Sequence, residues 1–577
     1  MSEHSHYTPP LADMAFVIEH WLNAPADWQR MPAFASLDAD TARMVCEAAG
    51  DFCAGQLAPL NSSGDLQGCT LHEGQVRTPD GFPQAYQAYV EAGWPALACD
   101  PSVGGQGLPG LLDAALNEMM VSSNHAWAMY LGILHGAYAC LHAHASEALK
   151  AQYLPKLVRG EWLATMCLTE PQAGSDLGLL RTQAQPAEDG SYRISGNKIF
   201  ISGGEQDLTD NIVHLVLARL PDAPPGTKGI SLFLVPKRIP QADGSLVPNA
   251  VYCDGIEKKM GIKGSATCAM RFEGAQGWLV GQPHRGLAAM FVMMNSARLH
   301  VGLQGLGHAE AAYQLALAYA RERQQMRAVV RPAGATGAAD AIVHHPAVRR
   351  ILWDLRVWTQ GMRALGYWCG HVIDVAAQGP DAEERARAQA LAALLTPVIK
   401  SMFTERGFEL ASEALQVFGG YGYIHEYRIE QIVRDSRIAM VYEGTNQIQA
   451  LDLLQRKVLA APDGLAPLLE SFRAEAAQAS THAAALQDWC ERLEAATRAL
   501  AEDAAQDVEL PARAAEDYLR LVGTVALAFA WCRAARVAGS AFPDKHDSAR
   551  YCFDYVLPNA EHWLRRVQAA RHPVAPL

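Results

Sequence analysis

Apolar residues recur three and four positions apart through most of the first 160 residues, in MAFVIEHWL (Met14 to Leu22), TARMVCEAAGDFCAGQL and AYQAYVEAGWPAL, a spacing that predicts helices. A turn-rich stretch around Asn61 to Gly81 breaks the pattern, and the segment that begins LLDAALNEMMV resumes it. From Glu161 to Gln282 the period changes. YRISGNKIFIS, NIVHLVLARL and GISLFLVP are short β-prone runs bounded by Gly, Pro and Asp, which predicts a small β domain, a barrel or sheet. Within it Phe200 and Ser202 flank Ile201 and are expected to share one face of a strand.

Helical spacing returns from Arg285 to Ala460. Asn295 to Met326 reads as one helix of about nine turns. Gly302, Gly305 and Gly307 lie inside it; each costs up to about 1 kcal/mol there, so another backbone or a ligand is expected to come very close. Leu391 to Phe418 predicts another long helix, and several long helices with short links imply a bundle. Beyond the ProAspGly at 462–464 the chain is Ala-rich and again helical in period. The fold class is therefore α+β, in four segments: 1–160 helical, 161–283 β, 284–460 a helical bundle, and 461–577 an appended helical domain.

Composition narrows the functional classes. A formal net charge of -13 argues against a nucleic-acid partner, which requires a basic footprint. The 12 cysteines include no CxxC pair, so reduced thiols are expected and neither a zinc site nor a redox motif is legible. His135, His142 and His144 cluster without a carboxylate or thiolate at ligand spacing, so no metal is expected. The opening MSEHSHYTPPLADM lacks the features of a signal peptide, and no apolar run reads as long enough to span a bilayer. A soluble, cytoplasmic protein is the expectation.

Candidate chemistry concentrates in RDSRIAMVYEGTNQIQALDLLQRKV, Arg434 to Val458. Glu443 lies between the apolar run Ile438, Ala439, Met440, Val441, Tyr442 and a turn-prone GlyThrAsn, ahead of a helix that begins near Asn446. Desolvation there should raise its pKa toward the range useful to a general base. Taken by itself, Glu443 also reads as an acid drawn to a helix N-terminus.

The same stretch resembles the active-site loop of the flavin-dependent acyl-CoA dehydrogenases, in which a YEGT loop carries the catalytic base. Five further blocks stand in the family's order: CLTEPQAGSD (Cys167 to Asp176), GNKIFISGG (Gly196 to Gly204), KMGIKGSATC (Lys259 to Cys268), ARERQQM (Ala320 to Met326) and QVFGGYGY (Gln416 to Tyr423). The appended domain resembles the tail of the larger subgroup, which includes the 3-methylmercaptopropionyl-CoA dehydrogenases.

The resemblance implies a bound FAD and an acyl-CoA thioester converted to the trans-2-enoyl-CoA. Glu443 would take the α-proton and the β-hydride would pass to flavin N5. Some relatives carry the base just before an arginine; here that position is Ala297, ahead of Arg298, which leaves Glu443 as the candidate. By the same resemblance Leu168, Thr169, Ser175, Phe200, Ser202, Thr445 and Gln447 would surround the flavin and its phosphates. Arg323, Gln325, Gln416, Gly419 and Gly420 would reach the FAD of a second subunit, which implies a homodimer at least. Ser175, Asn295, Arg298 and Gly444 would meet the acyl-CoA. An electron-transferring flavoprotein is the implied acceptor. An acyl-CoA oxidase using oxygen, and a flavin-bearing DNA-binding member of the superfamily, are the alternatives. The acyl group is left open among methylthiopropionyl, short straight-chain and aryl thioesters.

Overall fold

The computed structural model describes residues 7–478 and 480–575, without the side chains of residues 292 and 294–296. The chain forms two units, each assembled from non-contiguous stretches: Phe52–Leu108 with Ser123–Ala297, and Met1–Asp51 with Pro109–Ser122 and Arg298–Leu577.

The first of these is built on a seven-stranded sheet. Thr267–Val280 pairs with Tyr192–Ser202 and, at its far end, with Ile230–Pro236. Tyr192–Ser202 pairs with Gln183–Pro186, which touches Ile212–Arg219, and that strand returns to Ile230–Pro236. The pairing therefore closes on itself. Val251–Ile256 and Leu163–Cys167 are added outside the ring. Ile212–Arg219 and Ile230–Pro236 are buried along nearly their whole length, which explains why both read as continuous apolar runs rather than alternating ones. Ile194, Ile201, Val216, Phe233, Val235, Met270 and Phe272 fill the core.

One expectation needs correction here. The turn-rich stretch around Asn61 to Gly81 contains a helix, Leu60–Gln67, and a hairpin, Thr70–His72 with Gln75–Arg77. Strict alternation along Tyr192–Ser202 fails near its end, because Phe200 has a left-handed φ of 60° and the register with Thr267–Val280 shifts beside it. Buried positions consequently move from Ile194 and Lys198 to Ile201, which leaves Phe200 60% exposed and Ser202 half-buried on the side away from the core.

A buried ion pair stiffens this sheet. Lys198 Nζ donates to Glu170 Oε1 at 2.9 Å and to the Leu168 carbonyl at 2.9 Å. Glu170 also accepts from the Arg181 and Thr182 amides and the Thr182 hydroxyl. Burial pushes the Glu170 carboxyl up, but the Lys198 ammonium and these donors outweigh it and hold the group at about 2.

The other unit is helical. Its frame is Gly286–Glu322 (from Arg298 onward), Pro346–Gln378 and Ala382–Phe418. The glycines expected to mark a close approach do so. A Cβ on Gly305 would lie 2.1 Å from the Phe403 carbonyl oxygen, one on Gly407 2.4 Å from the Gly305 carbonyl oxygen, and one on Gly302 2.6 Å from Ile399 Cγ2. Two helix backbones thus touch at Gly305 and Gly407. The first helix ends at Glu322 rather than Met326, so Arg323 and Gln325 stand on the loop beyond it.

The appended residues share this core. Leu510–Ala538 packs on Pro346–Gln378 and Ala382–Phe418: Trp531 Nε1 donates to the Val357 carbonyl at 3.1 Å, and Arg520 grips Glu405 with bonds of 2.7 and 3.0 Å. Contrary to expectation, this helix is long and apolar enough to cross a membrane, but 83% of its most apolar window is buried within the protein. Burial of that degree marks the central helix of a helical core.

Two outcomes follow. Gly305→Ala should destabilise by about 1–3 kcal/mol or more, because the overpacked atom meets backbone that cannot rotate away; thermal melting read beside Gly55→Ala, where a Cβ meets nothing within 4 Å, checks it. Lys198→Met strands Glu170 in the interior and should cost about 3–5 kcal/mol near neutral pH. Because the Glu170 carboxyl is held at about 2, its contribution is complete above its ordinary 4.5 and fades as pH falls toward 2, so the gap in melting temperature between wild type and Lys198→Met should narrow in acid.

Candidate active site

The crossing at Gly305 and Gly407 decides what surrounds the loop after Ile429–Ser436. That loop runs through a tight turn, Arg437–Met440, and reaches Glu443 with φ 55° and Gly444 with φ 81°. Two successive left-handed residues reverse the chain sharply, and the first is a glutamate, for which this conformation is strained. Gly444 is required, since a Cβ there would lie 2.8 Å from Gln449 Nε2. Thr445 then caps the next helix, accepting from the Ile448 amide at 3.3 Å, and the helix runs from Asn446 as its sequence predicts. Gln449 Nε2 donates back to the Glu443 carbonyl at 3.2 Å and holds the reversed turn in place. Tyr442 donates its hydroxyl proton to Gln304 Oε1 at 2.5 Å and ties the loop to the helix Gly286–Glu322.

Two buried cations flank Glu443. Lys400, 0% exposed on Ala382–Phe418, donates from Nζ to Asn446 Oδ1 at 3.0 Å, and Asn446 Nδ2 donates to the Ser401 carbonyl at 3.1 Å. Arg298, 5% exposed, pairs with Asp452 at 3.2 Å, and its Nε has no partner among the described residues. Neither cation lies within 4.0 Å of the Glu443 carboxylate, so each acts on it through the field. Desolvation pushes the Glu443 carboxyl up to about 7, opposed by Lys400 and then Arg298. The same burial pulls the Lys400 ammonium down to about 7; Glu443 opposes that and Arg298 adds to it.

A proline organises the ground beneath. Pro397, inside Ala382–Phe418, has no N–H to offer the Ala393 carbonyl one turn earlier. Lys457 Nζ fills that vacancy at 2.6 Å and also pairs with Asp452 at 3.2 Å. Asp452 is thereby fixed as the anchor of Arg298.

The residues singled out from the sequence fall into distinct groups. Glu443, Gly444 and Arg298 belong to the cluster just described. Arg323, Gln325, Gln416, Gly419 and Gly420 line one groove of about 570 Å³. There Arg323 stands over the Tyr421 ring at 5.4 Å and has no carboxylate partner among the described residues. Thr445 and Gln447 line a smaller recess of about 140 Å³ with Ser401, Arg437 and Arg520. In the sheet unit, Leu168 and Thr169 are half-buried on the loop braced by Lys198, with the Thr169 carbonyl accepting from the Ile199 amide at 3.0 Å. Ser175 is exposed on the same loop, and Phe200 and Ser202 flank Ile201 on the strand beside it. The side chain of Asn295 lies outside the described residues.

Sequence reasoning overlooked Lys400, Asn446, Asp452, Lys457 and Pro397. One signal was available: in LLTPVIKSMF a single lysine interrupts an otherwise apolar helical run, a position that must bury an ammonium.

The chain matches four family descriptions in succession: "Acyl-CoA dehydrogenase, N-terminal domain" over 39–161, "middle domain" over 165–275, "C-terminal domain" over 284–458, and "Acetyl-CoA dehydrogenase C-terminal like" over 465–577. It is 45% identical over 454 residues to the 3-methylmercaptopropionyl-CoA dehydrogenase of Ruegeria pomeroyi, covering 78% of this chain and 76% of that one. It is 36% identical over 468 residues to the broad-specificity linear acyl-CoA dehydrogenase FadE5 of Mycobacterium tuberculosis, covering 79% and 76%. In fold it is similar to Caenorhabditis elegans ACDH-11 in complex with C11-CoA, with a TM-score of 0.75 at 20% identity over 99% of this chain and 96% of that one. It is likewise similar to a Bacillus anthracis acyl-CoA dehydrogenase complexed with FAD, with a TM-score of 0.74 at 21% identity over 94% and 89%. With matched segments spanning nearly its whole length, this chain belongs to the acyl-CoA dehydrogenase family.

Proposed function

We propose that this protein is an FAD-dependent dehydrogenase that removes hydrogen from Cα and Cβ of an acyl-CoA thioester, with Glu443 as the base. The observation that carries this reading is the state of Glu443, a carboxyl pushed up to about 7 on a strained turn, with two buried cations near it and no direct ion pair to tie it down. A carboxylate in that condition is a stronger base than one in water and is free to meet a substrate proton. The 45% identity with a 3-methylmercaptopropionyl-CoA dehydrogenase supports that thioester, or another short or medium acyl-CoA, as substrate.

The groove at Arg323 fits a diphosphate of FAD. A half-buried guanidinium without a carboxylate partner supplies the charge, and Gly419 and Gly420, each with nothing within 4 Å of where a Cβ would be, leave room for a phosphate to approach backbone. When bound, FAD supplies the two-electron acceptor that protein side chains lack. The residues of this chain do the rest. Glu443 removes the α-proton, and Arg298, with its unpartnered Nε, offers a donor beside it. Leu168, Thr169, Ser175, Phe200, Ser202, Thr445 and Gln447 are assigned to the flavin side, and Asn295, Ser175 and Gly444 to the acyl-CoA. The groove lies near exposed apolar residues, Met326, Val329, Val330, Tyr421 and Tyr423, which supports its completion by a second copy of the chain in a homodimer. An electron-transferring flavoprotein is the proposed acceptor of the electrons.

Glu443→Gln should retain FAD and acyl-CoA binding and lose flavin reduction by more than the roughly 10² to 10⁴ typical of a general base. Anaerobic rapid mixing with a panel of acyl-CoAs is the measurement; near-wild-type bleaching in the variant would place the base elsewhere. In the wild type the rate should rise with pH through about 7, because only the ionised carboxylate accepts a proton. Arg323→Ala should leave secondary structure intact and release FAD. Flavin content equal to wild type after dialysis would remove Arg323 from the cofactor site.

A further inference from the structure

We propose that Lys400 is a positioning residue for Glu443: its ammonium, enclosed in the helical unit and seated on Asn446, holds the Glu443 carboxyl ionised and its loop in place. The proposal rests on the reading of Glu443 as the base.

Four observations carry it. Lys400 is fully buried in the middle of Ala382–Phe418, where an ammonium is costly and an apolar or amide side chain would serve packing as well. Its hydrogen-bond partner is not a carboxylate but the Asn446 amide oxygen at 3.0 Å, so no contact ion pair neutralises it. Asn446 is the first residue of the helix that follows Glu443, Gly444 and Thr445, so the ammonium is bonded to the element that ends the active turn. The backbone contact at Gly305 and Gly407, with Gly302 against Ile399, brings Lys400 beside the helix that carries Arg298.

The charged groups around the pair are few. Glu443 faces Lys400 from the loop, and Arg298 faces both from the helix Gly286–Glu322. Behind Arg298 stand Asp452, Lys457 and Arg456, engaged with one another at 3.2 to 3.7 Å. On the next turn of the Lys400 helix, Glu405 is occupied by Arg520 at 2.7 Å. Tyr442, adjacent to Glu443, is spent on Gln304. With both members brought to about 7 by burial, each favours the charged form of the other, and the pair titrates as a unit. The ammonium form of Lys400 thereby favours the carboxylate form of Glu443. With that ammonium in place, Glu443 is held as an anion that can accept the substrate proton. Removing the cation leaves desolvation less opposed, so the carboxyl should hold its proton to higher pH.

The test uses the full-length protein loaded with FAD, as wild type, Lys400→Gln, Lys400→Met and Lys400→Arg. Glutamine keeps a donor for Asn446 without the charge, methionine serves if glutamine does not fold, and arginine keeps the charge. In rapid mixing with an acyl-CoA, the uncharged variants should reduce flavin at least about tenfold more slowly near pH 7, recover much of that loss near pH 9, and show an acid limb displaced upward by about one pH unit. Arginine should return the limb toward the wild-type position. A loss of equal size at every pH, with the limb unmoved, would assign Lys400 to structure alone and overturn the proposal. A second readout needs no substrate: the infrared band of the protonated carboxyl that disappears in Glu443→Gln should persist to higher pH in the uncharged variants. An unchanged midpoint of that band overturns the proposal even if the wild type turns over acyl-CoA. A displaced midpoint in a protein that no acyl-CoA reduces would sustain the Lys400–Glu443 pairing and refute the dehydrogenase reading instead.

Discussion

The backbone contact between Gly286–Glu322 and Ala382–Phe418 is the constraint on which the rest of the helical unit depends. At Gly305 and Gly407 no side chain separates the two helices, and each glycine would place a Cβ inside the other's main chain. Interhelical contacts of this closeness tolerate little sliding, because the interlocked surfaces are backbone rather than adaptable side chains. One turn or two away on each helix are Arg298 and Lys400. A rigid crossing therefore becomes a fixed arrangement of two cations about one carboxyl group.

That arrangement shows how the fold can raise the basicity of a common side chain. An exposed glutamate beside two cations would be ionised and weakly basic, whereas a desolvated one without them would stay protonated. Here burial pushes Glu443 up and the two cations hold it back, leaving it at about 7, where small changes in its surroundings alter its protonation. The cations are kept from forming contact ion pairs with it by partners of their own, Asn446 for Lys400 and Asp452 for Arg298. Asp452 in turn is held by Lys457, whose second bond is to a carbonyl set free by Pro397. A break in helical hydrogen bonding, which alone would cost stability, supplies an anchor point for the site.

The sheet unit applies a different principle to the loop assigned to the flavin. Glu170 and Lys198 form a contact pair further bonded to backbone, Thr182 and Gln172, and that pairing makes a buried charge tolerable. The glutamate there is held at about 2 and is locked as a brace. The two glutamates differ in one respect above all: Glu170 touches its lysine at 2.9 Å, and Glu443 does not touch Lys400.

What the sequence by itself determined is what depends on near neighbours. Helical and strand periods, the helix beginning at Asn446, the close approach at Gly302, Gly305 and Gly307, and the ordered blocks that carry the family resemblance all reside in short stretches of chain. Where local rules failed, a tertiary contact outweighed them. The alternation in Tyr192–Ser202 gave way to a register shift at Phe200, and the apolar length of Leu510–Ala538 became the centre of a helical core. The lone lysine in LLTPVIKSMF marks a buried ammonium, but its partners Glu443 and Arg298 lie far from Lys400 in the chain, and no local pattern names them. A side chain's charge state is set by the atoms within a few ångströms of it in space. Only the folded structure, which brings together residues far apart in the chain, decides which atoms those are.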